Sequence, residues 1–481
     1  MKYLVRTFLL TVFLTVLYAA NQAQTQTQPT LIELQTQIAE LETKLKAIGV
    51  ELAKLKEANP PTLTNVEDGR VKVDESVATT STTKKDVEPQ KKKDLGVDIG
   101  SARLTPYGTI FFNAFGNSGG TNNADVPIFA TPTGSGNSSA SVRQTRLGLR
   151  LEGAKVGTAR LGAVIEGDFF GGFPSVGIGE NFGVFRVRLA YVRLDWERTS
   201  VTVGQDWMVF APVNPTSMAT AGNPQMAAAG NNWARLPQVR LERKMGDHFT
   251  WQGALLEPQT GDFSTNAAFS VQPTSGAASR LPFIQSRIAY AHNNWLGTKM
   301  AGSVGISGQY GRSRVFTGTT NIRNDVESVG LALDWNFPLS KWISASGEAF
   351  LGRNLGGFQA GIFQGYNTDF AYHVGNLIVP GGVRSIGTRG GWIQFGFTPP
   401  VLQNRISVYG SAGIDDPKDQ DLVSVSQREW RTRNFVTAAN MVYKFTPQFS
   451  IGAEFRRMRT NYVFSGRRGV NHLNLGASYS F

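Results

Sequence analysis

The residues best placed to do chemistry in this 481-residue chain are arginines that alternate with apolar residues. In VFRVRLAYVRLDW, residues 184–196, Arg186 and Arg188 are flanked on both sides by apolar side chains. A β-strand directs successive side chains to opposite faces, so this spacing gathers the guanidinium groups on one face. Arg stays charged and presents a planar fork that matches carboxylate and phosphate groups. The pattern predicts a surface that favours anions.

The same alternation orders other segments. In RLGLRLE, residues 146–152, the leucines take one face while the arginines and Glu152 take the other. In 184–196 the predicted apolar face includes Leu189 and Tyr191. Arg143 cannot share the face of Arg146 unless a β-bulge intervenes. The arginines predicted to share the polar face are Arg146, Arg150, Arg160, Arg186, Arg188, Arg240, Arg287 and Arg456, with Glu166, Asp168 and Glu454 among them.

Period-two alternation persists from Leu104 to Phe481 and predicts sixteen strands. Their approximate bounds are 104–115, 142–153, 158–170, 184–197, 200–210, 234–243, 248–257, 280–292, 299–312, 324–337, 342–354, 384–398, 404–414, 429–445, 448–462 and 470–481.

The connections between these strands alternate in length. Turns such as AKVGT, KMGD and PLSK follow the even-numbered strands, whereas long segments such as 116–141 and 211–233 usually follow the odd-numbered ones. A β-sandwich has no reason to alternate in this way, whereas an up-and-down barrel in an outer membrane does. An open strand edge in hydrocarbon costs several kcal/mol per orphaned backbone group, so the last strand must pair with the first.

The fold class predicted for 104–481 is therefore an all-β transmembrane barrel of about sixteen antiparallel strands. Lipid would cover its apolar face and water would fill its lumen. Aromatic residues at strand ends fit the interfacial girdle of such barrels. These are Trp196, Tyr443, Phe445, Tyr479 and Phe481.

The first 23 residues have the pattern of a secretory signal peptide. Lys2 and Arg6 precede a short apolar run, and small residues follow it. Residues 24–57 then contain a heptad repeat, which predicts a periplasmic α-helical coiled coil for oligomerisation, compatible with a trimer; docking of the helix on its own barrel is the alternative. The heptad positions are Leu31, Leu34, Ile38, Leu41, Leu45, Ile48, Leu52 and Leu55.

Residues 58–103 are polar and rich in charge of both signs, which predicts a flexible linker. The lysine run at 91–93 could attract nucleic acid or lipid headgroups, but acidic neighbours favour a solvated linker, and we expect no nucleic-acid partner.

The sequence contains few motifs that would indicate an enzyme. Without cysteine, the chain has no disulfide, thiolate zinc site or cysteine nucleophile. Its four histidines lack metal-ligand spacing, and no Gly-x-Ser-x-Gly elbow indicates a hydrolase. The glycine-rich VGIGENFG falls in a loop and does not predict a nucleotide site. We predict no enzyme, metal or cofactor; an outer-membrane lipase is the remaining enzymatic alternative.

The succession RQTRLGLRLEG, VIEGDFFGG, RVRLAYVRLDW, TVGQDW and RLPQVRLE resembles the DcaP-like trimeric porins. That resemblance implies an N-terminal periplasmic coiled coil, a sixteen-stranded barrel, a homotrimer in the outer membrane, and diffusion of small, often dicarboxylic, organic anions. A lumen role carries over to Arg146, Arg186 and Arg188. In porins the third outer loop commonly narrows the barrel, and here the corresponding segment 211–233 has no formal charge.

Charge supports an anion channel. Residues 104–481 contain 28 Arg and 6 Lys against 23 Asp and Glu, so the barrel holds most of the chain's net charge of +12. Arginine rows on a pore wall favour anions. Three functions follow as hypotheses: a passive porin for small anionic solutes such as organic or dicarboxylic acids, a non-selective general porin, and an outer-membrane anchor that tethers to peptidoglycan through the coiled coil.

Overall fold

The computed structural model describes residues 95–172, 183–260, 273–318, 322–400 and 404–481. The predicted signal peptide, the coiled coil with its eight heptad residues, and the linker up to residue 94 lie outside these ranges. The predictions for those segments therefore stay predictions. Among the described residues, no helix is long and apolar enough to cross a membrane.

The described residues form β-strands joined by turns, loops and short helices. The strands are β1 (Val97–Ile99), β2 (Ala102–Asn117), β3 (Asn137–Ser141), β4 (Arg146–Glu152), β5 (Lys155–Val156), β6 (Ala159–Asp168), β7 (Arg186–Asp195), β8 (Thr199–Trp207), β9 (Arg235–Met245), β10 (Phe249–Leu256), β11 (Phe283–His292), β12 (Gly302–Thr317), β13 (Ile322–Pro338), β14 (Ile343–Arg353), β15 (Tyr366–Val374), β16 (Leu377–Ser385), β17 (Gly387–Phe397), β18 (Ile406–Pro417), β19 (Arg431–Lys444), β20 (Phe449–Tyr462) and β21 (Gly466–Ser480). Two four-residue helices, α1 (Ser275–Ala278) and α2 (Ala360–Phe363), and three 3-10 turns (Trp295–Gly297, Gly356–Phe358 and Asp419–Asp421) lie in connections.

Within the described residues, sixteen antiparallel strands close into a barrel, as predicted. β3 and β4 together make the second strand, since both pair with β2. Closure comes from the pairing of β2 with β21, in which Thr109 lies opposite Ser480 and Asn117 opposite His472. Gly108 and Phe481 exchange backbone hydrogen bonds of 3.3 and 3.1 Å, so the last residue completes the barrel.

The exterior of the barrel is apolar, because one face of each strand carries its large hydrophobic side chains. Leu147, Val187 and Leu473 are exposed on this face, while His472 and Asn474 on the alternate face are fully buried. At the short-turn end, Tyr443 and Phe445 pack edge to face with ring centroids 4.8 Å apart. This face has the composition that a hydrocarbon solvent requires.

Two irregularities change which residues point inward. The second strand is interrupted between Ser141 and Arg146, and as a result Arg143 and Arg146 both point inward. The interruption has the effect predicted for a β-bulge between these two arginines. In β7 the register against β6 shifts at Arg188, which leaves Leu189 opposite the inward-facing Glu166. Leu189 and Tyr191 were predicted to face lipid. That prediction is wrong, because the extra residue reverses the parity beyond Arg188.

The long connection between β14 and β17 contains an additional hairpin that the sequence did not predict. β15 and β16 pair from Tyr366 with Ser385 to Val374 with Leu377, outside the barrel sheet. Before the barrel, β1 forms a short hairpin with the start of β2 over 97–104, so regular structure begins a few residues earlier than the predicted boundary at 104.

Candidate functional site

The connection between β8 and β9, residues 208–234, folds into the barrel, and we call it the inner loop. Most of its residues are buried. It begins with an apolar anchor in which Phe210 packs against Phe358, with ring centroids 6.2 Å apart, and Phe283 lies 5.7 Å from the same Phe358 ring. Each large side chain buried here contributes roughly 1.5–3 kcal/mol of transfer free energy. The anchor therefore holds the start of the inner loop against the wall.

Polar contacts fix the next part of the inner loop against one side of the barrel. The Val213 amide donates to Glu348 at 2.9 Å, and the Thr216 amide donates to Gln394 at 2.8 Å. The Ser217 hydroxyl donates to Glu454. Buried carboxylates need such partners, since burial of an unpaired charge is costly. The inner loop thus donates hydrogen bonds to side-chain acceptors of the barrel wall, which are then no longer free to bind other groups.

A close backbone approach fixes the far end of the loop. Gly230 has φ +104, and a Cβ built on it would lie 2.0 Å from the Gly391 carbonyl oxygen on β17. Only glycine tolerates both that conformation and that contact. The loop then returns to β9, and the Asn434 side chain donates to the Ala228 carbonyl at 2.8 Å.

The connection between β2 and β3 also enters the barrel. Its Asp125 pairs with Arg143 in a buried ion pair, and its Pro127 carbonyl accepts from Arg456 at 3.0 Å. The Ala130 carbonyl accepts from the Tyr462 hydroxyl at 2.7 Å. Three connections therefore narrow the interior, rather than the third outer loop alone, because the segment after β14 supplies the Phe358 that packs on the inner loop.

A group of opposite charges occupies the wall of β4, β6 and β7. Asp168 accepts from Arg186 at 2.7 Å and from Arg188 at 2.8 Å, and Arg188 also donates to Glu166 at 2.8 Å. Arg186 and Arg188 reach the inner loop as well, through its backbone carbonyls at 222 and 221. Arg146 lies 3.9 Å from Glu166, at the limit of an ion pair. Three arginines thus share two carboxylates.

The remaining predicted arginines also occupy inward positions. Arg240 donates to Asp206 at 2.6 Å, and Arg287 forms a bidentate pair with Asp334 at 2.9 and 2.6 Å. Arg456 pairs with Glu454 and is buried. Arg150 and Arg160 stand nearer the short-turn end and are exposed. The guanidinium of Arg150 lies 5.2 Å from the Tyr107 ring centroid.

The two signs of charge differ in exposure. The side chains of Asp168, Asp334 and Glu454 are 0, 0 and 2% exposed. Those of Arg146 and Arg150 are 33 and 50% exposed. Arg146 is therefore more accessible to solutes than these three carboxylates, whereas toward the short-turn end Glu152 is 67% exposed beside Arg150.

Arg235 is a candidate that the sequence analysis missed. Its guanidinium lies 4.5 Å from the Trp207 ring and 5.0 Å from the Trp233 ring. Its Nε and one terminal nitrogen have no hydrogen-bond partner among the described residues. The sequence signal was the spacing of Trp233 and Arg235 at the end of the inner loop. Alternation of apolar and polar residues could not identify this cluster of Arg235 with two tryptophans, because Trp207 comes next to Arg235 only through the pairing of β8 with β9.

A closed sixteen-stranded barrel narrowed by connections that fold inward defines a barrel of the porin type. No family model and no curated protein matches this chain. Among solved structures, the outer membrane channel DcaP of Acinetobacter baumannii has a TM-score of 0.58 at 20% identity, covering 80% of this chain and 99% of that chain. The resemblance predicted from the motifs is confirmed for the fold of the barrel.

Two further structures are similar at lower scores. An anion-selective porin from Comamonas acidovorans has a TM-score of 0.48 at 15% identity, covering 79% of this chain and all of that chain. OmpF of Salmonella typhi, solved with daunomycin, has a TM-score of 0.48 at 12% identity, covering 80% of this chain and all of that chain.

Proposed function

We propose that this protein is a passive outer-membrane porin that prefers small anionic solutes, including organic and dicarboxylic acids. The observation that carries the proposal is the unequal exposure of charge inside the barrel. Asp168, Asp334 and Glu454 are buried and occupied by arginines or by the inner loop, whereas Arg146, Arg150 and Arg160 reach the water of the lumen. The more exposed carboxylates Glu152 and Glu242 each lie beside an arginine. A low-dielectric wall focuses the field of such groups on the solute path.

The inner loop strengthens this preference because it adds no charge of its own between residues 211 and 233. It covers Glu348 and Glu454, which would otherwise offer negative surface to the lumen. A solute anion that passes the loop therefore meets arginines on one side and neutral backbone on the other. Rings of Arg in a pore favour anions by this electrostatic route.

Reversal potentials in planar bilayers under a salt gradient test the proposal. We expect anion selectivity for the wild-type channel and a clear loss of it in the double variant Arg146→Gln/Arg150→Gln. Arg243→Gln is the matched control, because Arg243 is exposed at the short-turn end of β9 on the outer face. A cation-selective wild-type channel, or equal selectivity in both variants, would contradict the proposal.

We further propose that the protein is a homotrimer, with the heptad segment 24–57 as a periplasmic coiled coil behind a cleaved signal peptide. The repeat of Leu and Ile in that segment supports this arrangement. Three conductance steps per insertion are expected, together with a trimeric mass in detergent. Single steps and a monomeric mass would argue against it.

A further inference from the structure

The outer face of the barrel carries an uneven distribution of charge at its long-loop end. Outward-facing strand positions there hold arginines on one arc of the described barrel, from β12 to β21. These are Arg312, Arg314, Arg323, Arg353, Arg389, Arg433, Arg457, Arg459 and Arg467. The acidic residues among them are Asp325, Glu327 and Asp416. Their excess positive charge lies above an apolar band.

Among the residues that the structure describes, the opposite arc lacks this feature. Outward-facing positions at the long-loop ends of β2, β3, β6 and β8 are Gly116, Ser138, Gly167 and Gln205. Charge at the rim is therefore a property of one half of the circumference. An aqueous extracellular surface alone would not confine arginines to one arc.

One part of the arginine arc forms a groove, which we call the rim groove. It encloses about 880 Å³ between the outer faces of β13, β14 and β17 and the base of β16. Its lower part consists of Val329, Leu331 and Leu351, and the last two are among the exposed apolar residues of the lipid-facing surface. Its upper part holds Arg353, Arg384, Arg389 and Lys418.

Two cations of the rim groove, Arg353 and Arg389, remain available to a ligand, whereas Arg384 is paired with Asp421 at 2.6 Å. Arg389 is 77% exposed and reaches Asp416 only at 3.3 Å, while Asp416 makes a shorter contact of 2.8 Å with Arg433. Arg353 is 55% exposed, and its ion pair with Glu327 is 3.7 Å long. Such exposed, long pairs contribute little stability and exchange readily for a better anion.

We propose that the rim groove binds a phosphorylated glycolipid of the outer leaflet. Its phosphate groups would pair with Arg353, Arg389 and Lys418, and an acyl chain would lie along Leu331 and Leu351. The apolar and basic ends of the groove match the acyl chains and the headgroup of such a lipid. The apolar end continues into the lipid-facing band, and the basic end lies at the level expected for lipid headgroups. Arg forks match phosphate geometry, which favours a phosphate over a neutral headgroup.

Native mass spectrometry of the full mature protein with bisphosphorylated lipid A tests this proposal. We expect Arg353→Gln/Arg389→Gln to bind the lipid on the order of a hundredfold more weakly, since each of the two lost charge-assisted contacts is worth on the order of a factor of ten. Arg198→Gln/Arg243→Gln, at the short-turn end, is the matched control and should bind normally. Leu351→Trp fills the apolar part of the groove without changing charge and should also weaken binding.

Two further binding measurements test whether the ligand is the phosphorylated lipid. Dephosphorylated lipid A should bind the wild-type protein as weakly as lipid A binds the double arginine variant. Inorganic phosphate at the same concentration should not displace lipid A. Equal binding by the groove and control variants, full binding of the dephosphorylated lipid, or displacement by inorganic phosphate would each overturn the proposal. Unchanged single-channel conductance in all variants verifies that the barrel has folded.

Discussion

The inner wall of the barrel has two sectors that handle charge in opposite ways. In the open sector, from β4 to β10, Arg146 and Arg150 reach the lumen, and each lies 3.9 Å from one carboxylate, Glu166 and Glu152 respectively. In the covered sector, from β12 to β20, Glu348 and Glu454 lie beneath the inner loop and accept hydrogen bonds from it. The comparison predicts that the charge preference of the lumen depends on which charges a neutral loop covers, as well as on how many each strand carries.

Replacing residues 213–222 by a short Gly-Ser linker should have the largest effect on this comparison. The replacement removes the segment that contacts Glu348, Gln394 and Glu454, so both carboxylates would face water. We expect single-channel conductance to rise severalfold and anion selectivity to fall. Planar-bilayer recordings measure both quantities. Higher conductance with unchanged selectivity would show that the covered carboxylates do not matter for selectivity.

Phe210→Ala should have an intermediate effect, because it loosens the inner loop without removing it. Phe210 is fully buried against Phe358 and belongs to the apolar cluster that also contains Phe283. Truncation of a buried Phe costs about 3–5 kcal/mol. We expect a lower unfolding temperature in detergent and frequent conductance fluctuations as the loop detaches. Val203→Ala, an outward-facing residue on β8, is the control and should leave fluctuations unchanged.

Much of this organisation could be predicted from sequence, for a definite reason. Lipid outside and water inside impose a period of two on every strand, so all sixteen strands and the inward position of Arg186 follow from alternation. A bulge adds one residue to a strand and reverses the inward and outward positions that follow it, but it leaves no recognisable pattern in the sequence. For this reason Leu189 and Tyr191 were assigned to the wrong face. The contacts of the inner loop could not be predicted, because Ser217 and Glu454 meet only through the closed barrel.

The smallest effects are expected from one substitution made in each sector. Glu454→Gln in the covered sector weakens the buried contacts with Ser217 and Arg456, which should lower the free energy of unfolding by about 2 kcal/mol. The reversal potential should hardly change, because the carboxylate is 2% exposed. Thermal unfolding and bilayer recordings on the same preparation measure the two responses.

Glu242→Gln in the open sector should give the converse result. Glu242 is 19% exposed and lies 3.4 Å from Arg193, so its neutralisation leaves that guanidinium with less compensation near the lumen. We expect a small shift of the reversal potential toward greater anion selectivity. Little stability should be lost, since the substituted amide still offers a hydrogen-bonding group to the neighbouring Gln252. If Glu454→Gln shifts selectivity as much as Glu242→Gln does, the inner loop does not screen the covered sector, and the distinction between the sectors fails.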